Sequence, residues 1–263
     1  MAGSSFAIMS FSYIYFLLPL YLDNAGLNSP SIIGWVLGTY YAASTLPRPL
    51  MALLIERFPF RVTLTGAALC CLAGSVGLAL AGISLPLLVF SRILMGFGFG
   101  LFLVSLTSYQ TMSIPDEVRG AAFALITIGA MAPFLLVIPL VDWLLHNGFY
   151  GFYIWAGPIV AAICAVVGMT FGNIDRNRVT TGSRWGTYSQ LFAIPGARAL
   201  FVSVLVYGMT DAAIISISIL SMSSGLLSSW FMSSFAVGAI LVRLVGFRYM
   251  DVFPRDRMLA VVI

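Results

Sequence analysis

Residues 48–61 read RPLMALLIERFPFR, and a similar stretch, RLVGFRYMDVFPRDR, occupies residues 243–257. Laying residue 48 on residue 243 pairs Arg48 with Arg243, Glu56 with Asp251, and Phe58-Pro59 with Phe253-Pro254. Each copy leaves a long apolar run, passes an acid and a Phe-Pro turn, and returns through an arginine to apolar sequence. Two such turns at matching places indicate an internal repeat. Parallel repeats about an axis normal to the membrane are a known architecture of polytopic membrane proteins.

The composition around these turns is that of a protein dissolved in lipid. The 263 residues are 60% hydrophobic and 8% charged, with a mean hydropathy of +1.03. A soluble domain carries roughly 25% charged residues, so too few polar groups remain here to cover a surface that faces water. The net charge of +4 does not indicate a nucleic-acid partner, because the arginines are scattered between apolar runs.

Apolar runs of span length recur along the whole sequence. A membrane-crossing helix needs about 20 mostly apolar residues. The runs lack the ten-residue alternation of a barrel, and only helices or closed barrels satisfy backbone polar groups in lipid. We therefore predict an all-α membrane protein with eight spans, at residues 5–22, 31–55, 62–82, 86–112, 119–145, 150–172, 198–222 and 227–248.

The arginines in the connections alternate with loop number. Essentially all of them fall in the second, fourth, sixth and eighth loops, and none falls in the first, third, fifth or seventh. The positive-inside rule places the arginine-bearing loops in the cytoplasm, and the N-terminus with them. The alternation also supports the number of spans, since one missed span would scramble it.

The sixth connection is longer and more polar than the others. It predicts an N-terminal six-helix half at 1–172, a cytoplasmic connector at 173–197, and the start of a C-terminal half at 198–263. A ninth apolar run, MLAVVI, begins at Met258 and ends with the sequence. We expect a fragment of a longer protein with about four further helices.

Residue types that carry enzyme chemistry are scarce. Cys70, Cys71 and Cys164 lie inside apolar runs without metal or disulfide spacing, so inert packing is expected. The lone histidine, His146, is read as an incidental loop residue. Without a nucleophile beside a base or a cluster of metal ligands, the sequence does not indicate an enzyme, a cofactor or a metal.

The sequence resembles the major facilitator superfamily in three places. The turn with Glu56-Arg57, Pro59 and Arg61 is similar to the family's Gly, Asp-Arg, Gly, basic signature, with Glu for Asp and both glycines replaced. Arg92, followed by Gly96, Gly98 and Gly100, resembles the Arg-then-glycine pattern of the fourth helix. The segment 190–198, QLFAIPGAR, resembles the entry to the second half.

The resemblance implies a major-facilitator-type bundle, with about eight of twelve expected helices and closest in texture to bacterial efflux-type members. One departure bears on the direction of transport. Antiporters of this family carry Gly-Pro followed by a glycine pair in the fifth helix, whereas this chain has Ala132-Pro133 followed by FLLV. The predicted direction is therefore only slightly in favour of export.

Four ionisable residues are predicted inside spans, namely Arg48, Arg92, Asp211 and Arg243. Such residues are costly in lipid and are functional hypotheses by default. Arg92 and Asp211 lie at similar depths, and the resemblance places their helices around the central cavity. The two are predicted to meet across it and to couple proton uptake or solute binding to movement. The alternative is a fixed ion pair, or two residues satisfied separately.

The remaining candidate residues form two groups. The first is predicted to line the substrate cavity, with core packing as the alternative: Tyr13, Tyr15, Tyr109 and Gln110. The second resembles the family's cytoplasmic gate and latch, with interfacial anchoring or a solvated loop as the alternative: Arg48, Glu56, Arg57, Arg61, Arg243, Asp251 and Arg255. The glycines of the fourth helix are read as packing residues.

These observations together predict a secondary active transporter of a small organic solute, coupled to protons and working by alternating access. We expect a monomer in a bacterial inner membrane, with a small-molecule substrate, the proton and the lipid bilayer as partners. The rival is a membrane scaffold or partner-binding protein that keeps the fold and has lost transport. The altered signature turn favours the rival, and the retained buried charges favour transport.

Overall fold

The computed structural model describes residues 1–27, 29–47, 54, 57–82, 84–172, 202, 206, 209 and 228–246. Every regular element among these residues is a helix. The longer helices are α1 (Ala2–Ile14), α2 (Leu18–Asn24), α3 (Pro30–Thr45), α4 (Phe60–Leu80), α5 (Leu85–Ser113), α6 (Arg119–His146), α7 (Tyr150–Met169) and α8 (Ser228–Gly246). Short 3₁₀ segments occupy Tyr15–Leu17 and Asp116–Val118.

Six of the predicted spans are confirmed by helices long and apolar enough to cross a membrane. They are Ala2–Asn24, Phe60–Leu80, Leu85–Ser113, Asp116–His146, Tyr150–Met169 and Ser229–Gly246. Helix α3 forms the first part of the span predicted at 31–55, whose remainder lies largely outside the described residues. Apart from three helical positions at 202, 206 and 209, the span predicted at 198–222 also lies outside them.

The first span changes its helical geometry near its middle. A 3₁₀ turn at Tyr15–Leu17 separates α1 from α2, and Pro19 follows in the first turn of α2. Proline has no backbone N–H, so Pro19 cannot donate to the carbonyl of Tyr15 and the regular α-helical ladder is interrupted there. Short 3₁₀ stretches within a long helix often mark functional positions. Here the interruption falls on a residue of the candidate site.

Helices α1 to α7 pack into one bundle around a shared apolar core. Helix α4 packs along α5 and α7, α3 packs on α5, and α1 packs on α6 and α7. The core includes the fully buried side chains of Phe11, Leu64, Met95, Phe102 and Tyr153. We call α1 to α7 the N-terminal bundle.

Helix α8 joins this bundle through α6. A separate small cluster of buried side chains fills the contact, with Phe134 and Ile138 from α6 and Met232 and Ala236 from α8. Tyr13 and Phe16 of the first span pack against the edge of the cluster. The cluster that fills the contact is therefore apolar.

Candidate functional site

Arg92 lies in the interior of the N-terminal bundle, on α5, with 2% of its surface exposed. Its guanidinium carbon lies 4.3 Å from the ring centroid of Tyr40 and 5.9 Å from that of Tyr15. A cation over an aromatic face is attracted by the ring quadrupole, by about 2 kcal/mol or more where water is excluded. The aromatic rings therefore offset part of the cost of burying this charge.

Three helices of the bundle supply the rings around Arg92. Tyr40 comes from α3 and donates its hydroxyl proton to Ser12 Oγ of α1, at 3.2 Å. Tyr15 comes from the 3₁₀ turn, and its ring centroid lies 6.5 Å from that of Tyr153 on α7. Tyr15, Tyr40 and Tyr153 are hereafter the tyrosine cage. The cage places Arg92 among side chains of the first span, α3 and α7.

The cage leaves part of the guanidinium unsatisfied. Neither Nε nor Nη1 of Arg92 has a hydrogen-bond partner in the part of the chain that the structure describes. A buried arginine normally forms hydrogen bonds or pairs with an anion, because an uncompensated buried charge is strongly destabilising. Asp211, the predicted partner of Arg92, lies outside the described residues. Their pairing stays a prediction.

The other residues predicted to line the cavity are placed apart from Arg92. The ring centroid of Tyr13 lies 4.1 Å from that of Phe134, at the contact between the first span and α6. The ring of Tyr109 lies between Phe60 and Phe171, at centroid distances of 5.4 Å and 4.8 Å. Of the four residues predicted to line the cavity, the structure brings Tyr15 to Arg92.

Gln110, the fourth residue of that group, is buried on α5. Its Nε2 donates a hydrogen bond to Ser5 Oγ of α1 over 3.1 Å. The bond joins two helices separated by more than one hundred positions in the sequence, so Gln110 fixes the packing of α5 on α1.

Three of the residues predicted for the cytoplasmic gate are described. Arg57 and Arg61 are exposed, with Arg61 in the first turn of α4. Arg243 is half-buried near the end of α8, and its Nη1 donates to the carbonyl oxygen of Ala239 at 3.0 Å. The other four lie outside the described residues: Arg48, Glu56, Asp251 and Arg255.

The prediction of four ionisable residues inside the spans was wrong, because it omitted Asp142. This residue lies on α6, four positions before His146, and its side chain is 3% exposed. Val141 is buried as well, whereas Trp143 is largely exposed. Asp142 therefore lies on the inner face of the helix. A carboxyl group and a histidine at positions i and i+4 lie on one helix face. That spacing is the signal that sequence reasoning overlooked.

The contact between Asp142 and His146 is local to α6. His146 Nδ1 lies 3.2 Å from Asp142 Oδ1 and 3.1 Å from the backbone carbonyl oxygen of the same residue. The bond to the carbonyl has acceptable geometry, whereas neither carboxyl oxygen has a hydrogen-bond partner among the described residues. His146 Nδ1 is therefore close to Asp142 Oδ1 but does not form a hydrogen bond with the carboxyl group.

The fold and its buried cation define a polytopic α-helical membrane protein whose helices pack into a bundle. The family model of the Major Facilitator Superfamily matches residues 1–263. The chain belongs to the Major Facilitator Superfamily. The predicted membership of this family is thus confirmed.

The chain is similar in fold to a solved structure. The inward-open conformation of the xylose transporter XylE from E. coli matches with a TM-score of 0.56 and 17% sequence identity, covering 94% of this chain and 66% of that protein. A D-xylose-proton symporter matches with a TM-score of 0.48 and 17% identity, covering 94% and 65%. This chain therefore spans about two thirds of the length of either protein. No curated protein matches it.

Proposed function

We propose that this chain supplies a secondary active transporter with its N-terminal half, its cytoplasmic connector and the beginning of its C-terminal half. The solute is a small organic molecule, moved by alternating access between the two helical halves. The observation that carries the proposal is the family match over residues 1–263. Membership of this family along the whole chain ties the N-terminal bundle to a fold built from two repeated halves.

The contact between α6 and α8 supports movement of the two proposed halves. In the proposed division α6 belongs to the first half and α8 to the second. The four side chains that fill the contact are apolar, so separating them breaks no hydrogen bond between them. Rocking of one repeat against the other around a fixed site requires such a separable contact.

We propose that Arg92 and Asp211 form the coupling site and that protons drive transport. Arg92 is a buried cation with two unsatisfied nitrogen atoms among the described residues, and Asp211 is a carboxylate predicted in the seventh span. Breaking this pair by protonation or by solute binding would change the charge balance between the halves. Export is the proposed direction.

The proposed gate lies at the cytoplasmic ends of the second and eighth predicted spans, residues 31–55 and 227–248. It comprises Arg48, Glu56, Arg57 and Arg61 in the first repeat turn, and Arg243, Asp251 and Arg255 in the second. An acid near the N-terminus of a helix in the opposite half is stabilised by the helix dipole. The proposed protein is a monomer in a bacterial inner membrane with its N-terminus in the cytoplasm.

A second candidate function is a membrane scaffold or partner-binding protein with the same fold. The observation that favours it is the altered signature turn, in which Ala52 and Pro59 replace the family's glycines. Arg92 argues against it, because a scaffold gains nothing from a buried and partly unsatisfied cation.

The test is solute-dependent proton flux in vesicles that contain the complete natural protein and a pH-sensitive dye. Monosaccharides, organic acids and organic cations are added in turn under an imposed pH gradient. We expect at least one solute to move protons, and Asp211→Asn to abolish that movement. The matched control is Asp116→Asn, which changes an exposed carboxylate paired with Arg119.

Each outcome bears on a different part of the proposal. If the protein is well folded and no solute crosses the membrane or causes protons to cross it, the result would support the scaffold. Solute movement without proton movement, or an Asp211→Asn protein that couples normally, would remove Asp211 from the mechanism while leaving transport standing. Loading vesicles with solute from the inside or the outside gives the direction.

A further inference from the structure

A cavity of about 500 Å³ lies between the C-terminal end of α6 and the first turns of α8. Ligand pockets range over ~300–1,000 Å³, so this one has room for a small organic molecule. The residues that matter to its chemistry are Asp142, Trp143 and His146 from α6, and Ser229, Trp230 and Ser233 from α8.

Asp142 is the only carboxylate among the described residues that line this cavity, and it is almost fully buried. Its carboxyl oxygens accept no hydrogen bond within the described part of the chain. The nearby His146 Nδ1 is engaged with the backbone carbonyl oxygen of Asp142. A buried carboxylate is costly unless it is paired. The cavity is therefore bordered by a buried acid that, apart from His146 Nδ1 at 3.2 Å from Oδ1, has no partner among the described residues.

The surroundings of Asp142 favour an organic cation over a metal ion. A metal site needs several donor side chains, and the described residues contain no group of three or more His, Cys, Asp or Glu that could hold one. The cavity instead presents two indole side chains, Trp143 and Trp230. Tryptophan is the best aromatic partner for a cation, and aromatic surfaces are used to recognise quaternary ammonium groups.

The membrane–water interface accounts for the two tryptophans of the cavity. Trp143 and Trp230 are largely exposed at the ends of their spans, where tryptophans form the belt at the membrane–water interface. The belt explains two exposed indoles. It does not explain a carboxyl group with 3% exposure at the same cavity, since an interfacial belt has no need of a buried acid.

We propose that this cavity binds a small organic ammonium ion, with Asp142 as its counter-charge and the indoles of Trp143 and Trp230 as its aromatic surface. The site lies at the contact of α6 with α8, away from Arg92 and the tyrosine cage. Binding there does not depend on transport, so the site and the proposed function fail or succeed separately.

The direct test is the binding of radiolabelled choline to the complete natural protein in phosphatidylglycerol nanodiscs, whose headgroup has no ammonium. We expect saturable binding, with no competition from 3,3-dimethylbutan-1-ol, the uncharged isostere of choline. Asp142→Asn should weaken binding by at least ~10-fold, because it removes the charge partner at a buried position, where opposite charges attract more strongly than in water. Replacing the lipid by phosphatidylcholine distinguishes a headgroup from a free solute: loss of choline binding there shows that the headgroup occupies the same site.

Two further variants separate binding from folding. Asp23→Asn is the matched control, because Asp23 is an exposed carboxylate at the same end of the bundle, where Tyr21 of α2 packs on Tyr150 of α7. It should bind choline like the unchanged protein. Ser233→Trp fills the cavity from α8 without altering the carboxylate and should abolish binding.

Size-exclusion elution and thermal stability confirm that each variant is folded. The proposal is overturned by absence of saturable binding, by equal competition from the uncharged isostere, or by folded Asp142→Asn and Ser233→Trp proteins that bind as the unchanged protein does.

Discussion

Two helix contacts in this molecule are built in different ways. Between α3 and α5 the backbones touch: a Cβ on Gly96 would overlap the carbonyl oxygen of Tyr40, and one on Gly100 would overlap that of Ser44. Between α6 and α8 a cluster of buried apolar side chains fills the contact, and Gly238, on the exposed side of α8, has nothing within 4 Å of an added Cβ. Small residues let membrane helices approach closely and pack tightly.

The difference separates a fixed part of the molecule from a separable one. Close backbone contact restricts sliding and rotation, because such movements bring atoms of the two main chains into collision. A layer of apolar side chains can part without loss of hydrogen bonds. We infer that the N-terminal bundle moves as one unit and that displacement takes place between α6 and α8.

The largest expected effect on stability comes from adding one methyl group to the backbone contact. Gly96→Ala forces α5 away from Tyr40, and overpacking of this kind costs ~2 kcal/mol. The melting temperature should fall by roughly 4–8 °C at 2–4 °C per kcal/mol. The readout is thermal unfolding of the purified protein in detergent or nanodiscs.

The same substitution at Gly238 is the matched control. An alanine there meets open space and gains helix propensity, so stability should be unchanged or higher by ~0.5–1 kcal/mol. Equal destabilisation at Gly96 and Gly238 would show that the loss at Gly96 does not come from its backbone contact with Tyr40.

The next expected effect concerns function rather than stability. Arg92→Met removes the cation from the tyrosine cage while keeping an apolar side chain of similar length. Replacing a buried and partly unsatisfied charge is expected to leave stability unchanged or to raise it by up to ~1–4 kcal/mol. Solute flux in vesicles should fall to the background of protein-free vesicles.

This prediction distinguishes a coupling residue from a packing residue. A protein destabilised by Arg92→Met that still transports would show that Arg92 serves the packing of the bundle. Thermal unfolding and flux are therefore measured on the same preparation.

The smallest expected effect lies at the hydrogen bond between α5 and α1. Gln110→Leu leaves the hydroxyl of Ser5 without its donor, at a cost of ~1 kcal/mol. Removing both partners with Gln110→Leu and Ser5→Ala should restore most of that loss. A double-mutant cycle in thermal unfolding measures the coupling, and strictly additive losses would show that the bond of 3.1 Å contributes nothing.

Much of the fold could be predicted from hydropathy and length. The span predicted at 86–112 is α5, Leu85–Ser113, and the one predicted at 119–145 is α6, Arg119–His146. Lipid permits few alternatives to a helix, so a long apolar run determines its own structure. The 3₁₀ turn at Tyr15–Leu17 could not be predicted in this way, because it depends on a single proline within an otherwise continuous apolar run.

The candidate site was harder to predict because it depends on which side of each helix faces which neighbour. Tyr15 and Tyr109 were both predicted to line the cavity, yet one lies beside Arg92 and the other packs between Phe60 and Phe171. Asp142 lies inside the span predicted at 119–145, one turn from the end of α6, and the prediction of four ionisable residues omitted it. The neighbour that each side of a helix faces is set by tertiary packing, which hydropathy does not report.

The movement inferred between α6 and α8 can be blocked and restored by a reversible tether. His146→Cys and Trp230→Cys place thiols on opposite sides of the cavity at their contact, and a cleavable bis-thiosulfonate reagent joins them. Leu80→Cys with Leu87→Cys is the control pair, because both residues are exposed at the turn between α4 and α5 of the N-terminal bundle.

Solute flux through the tethered protein tests most directly whether α6 and α8 separate during transport. The measurement uses a protein in which Cys70, Cys71 and Cys164 are replaced by alanine. We predict that the α6–α8 tether stops transport, that reductant restores it, and that the control tether leaves it unchanged. Full transport through a completely tethered α6–α8 pair would contradict the account.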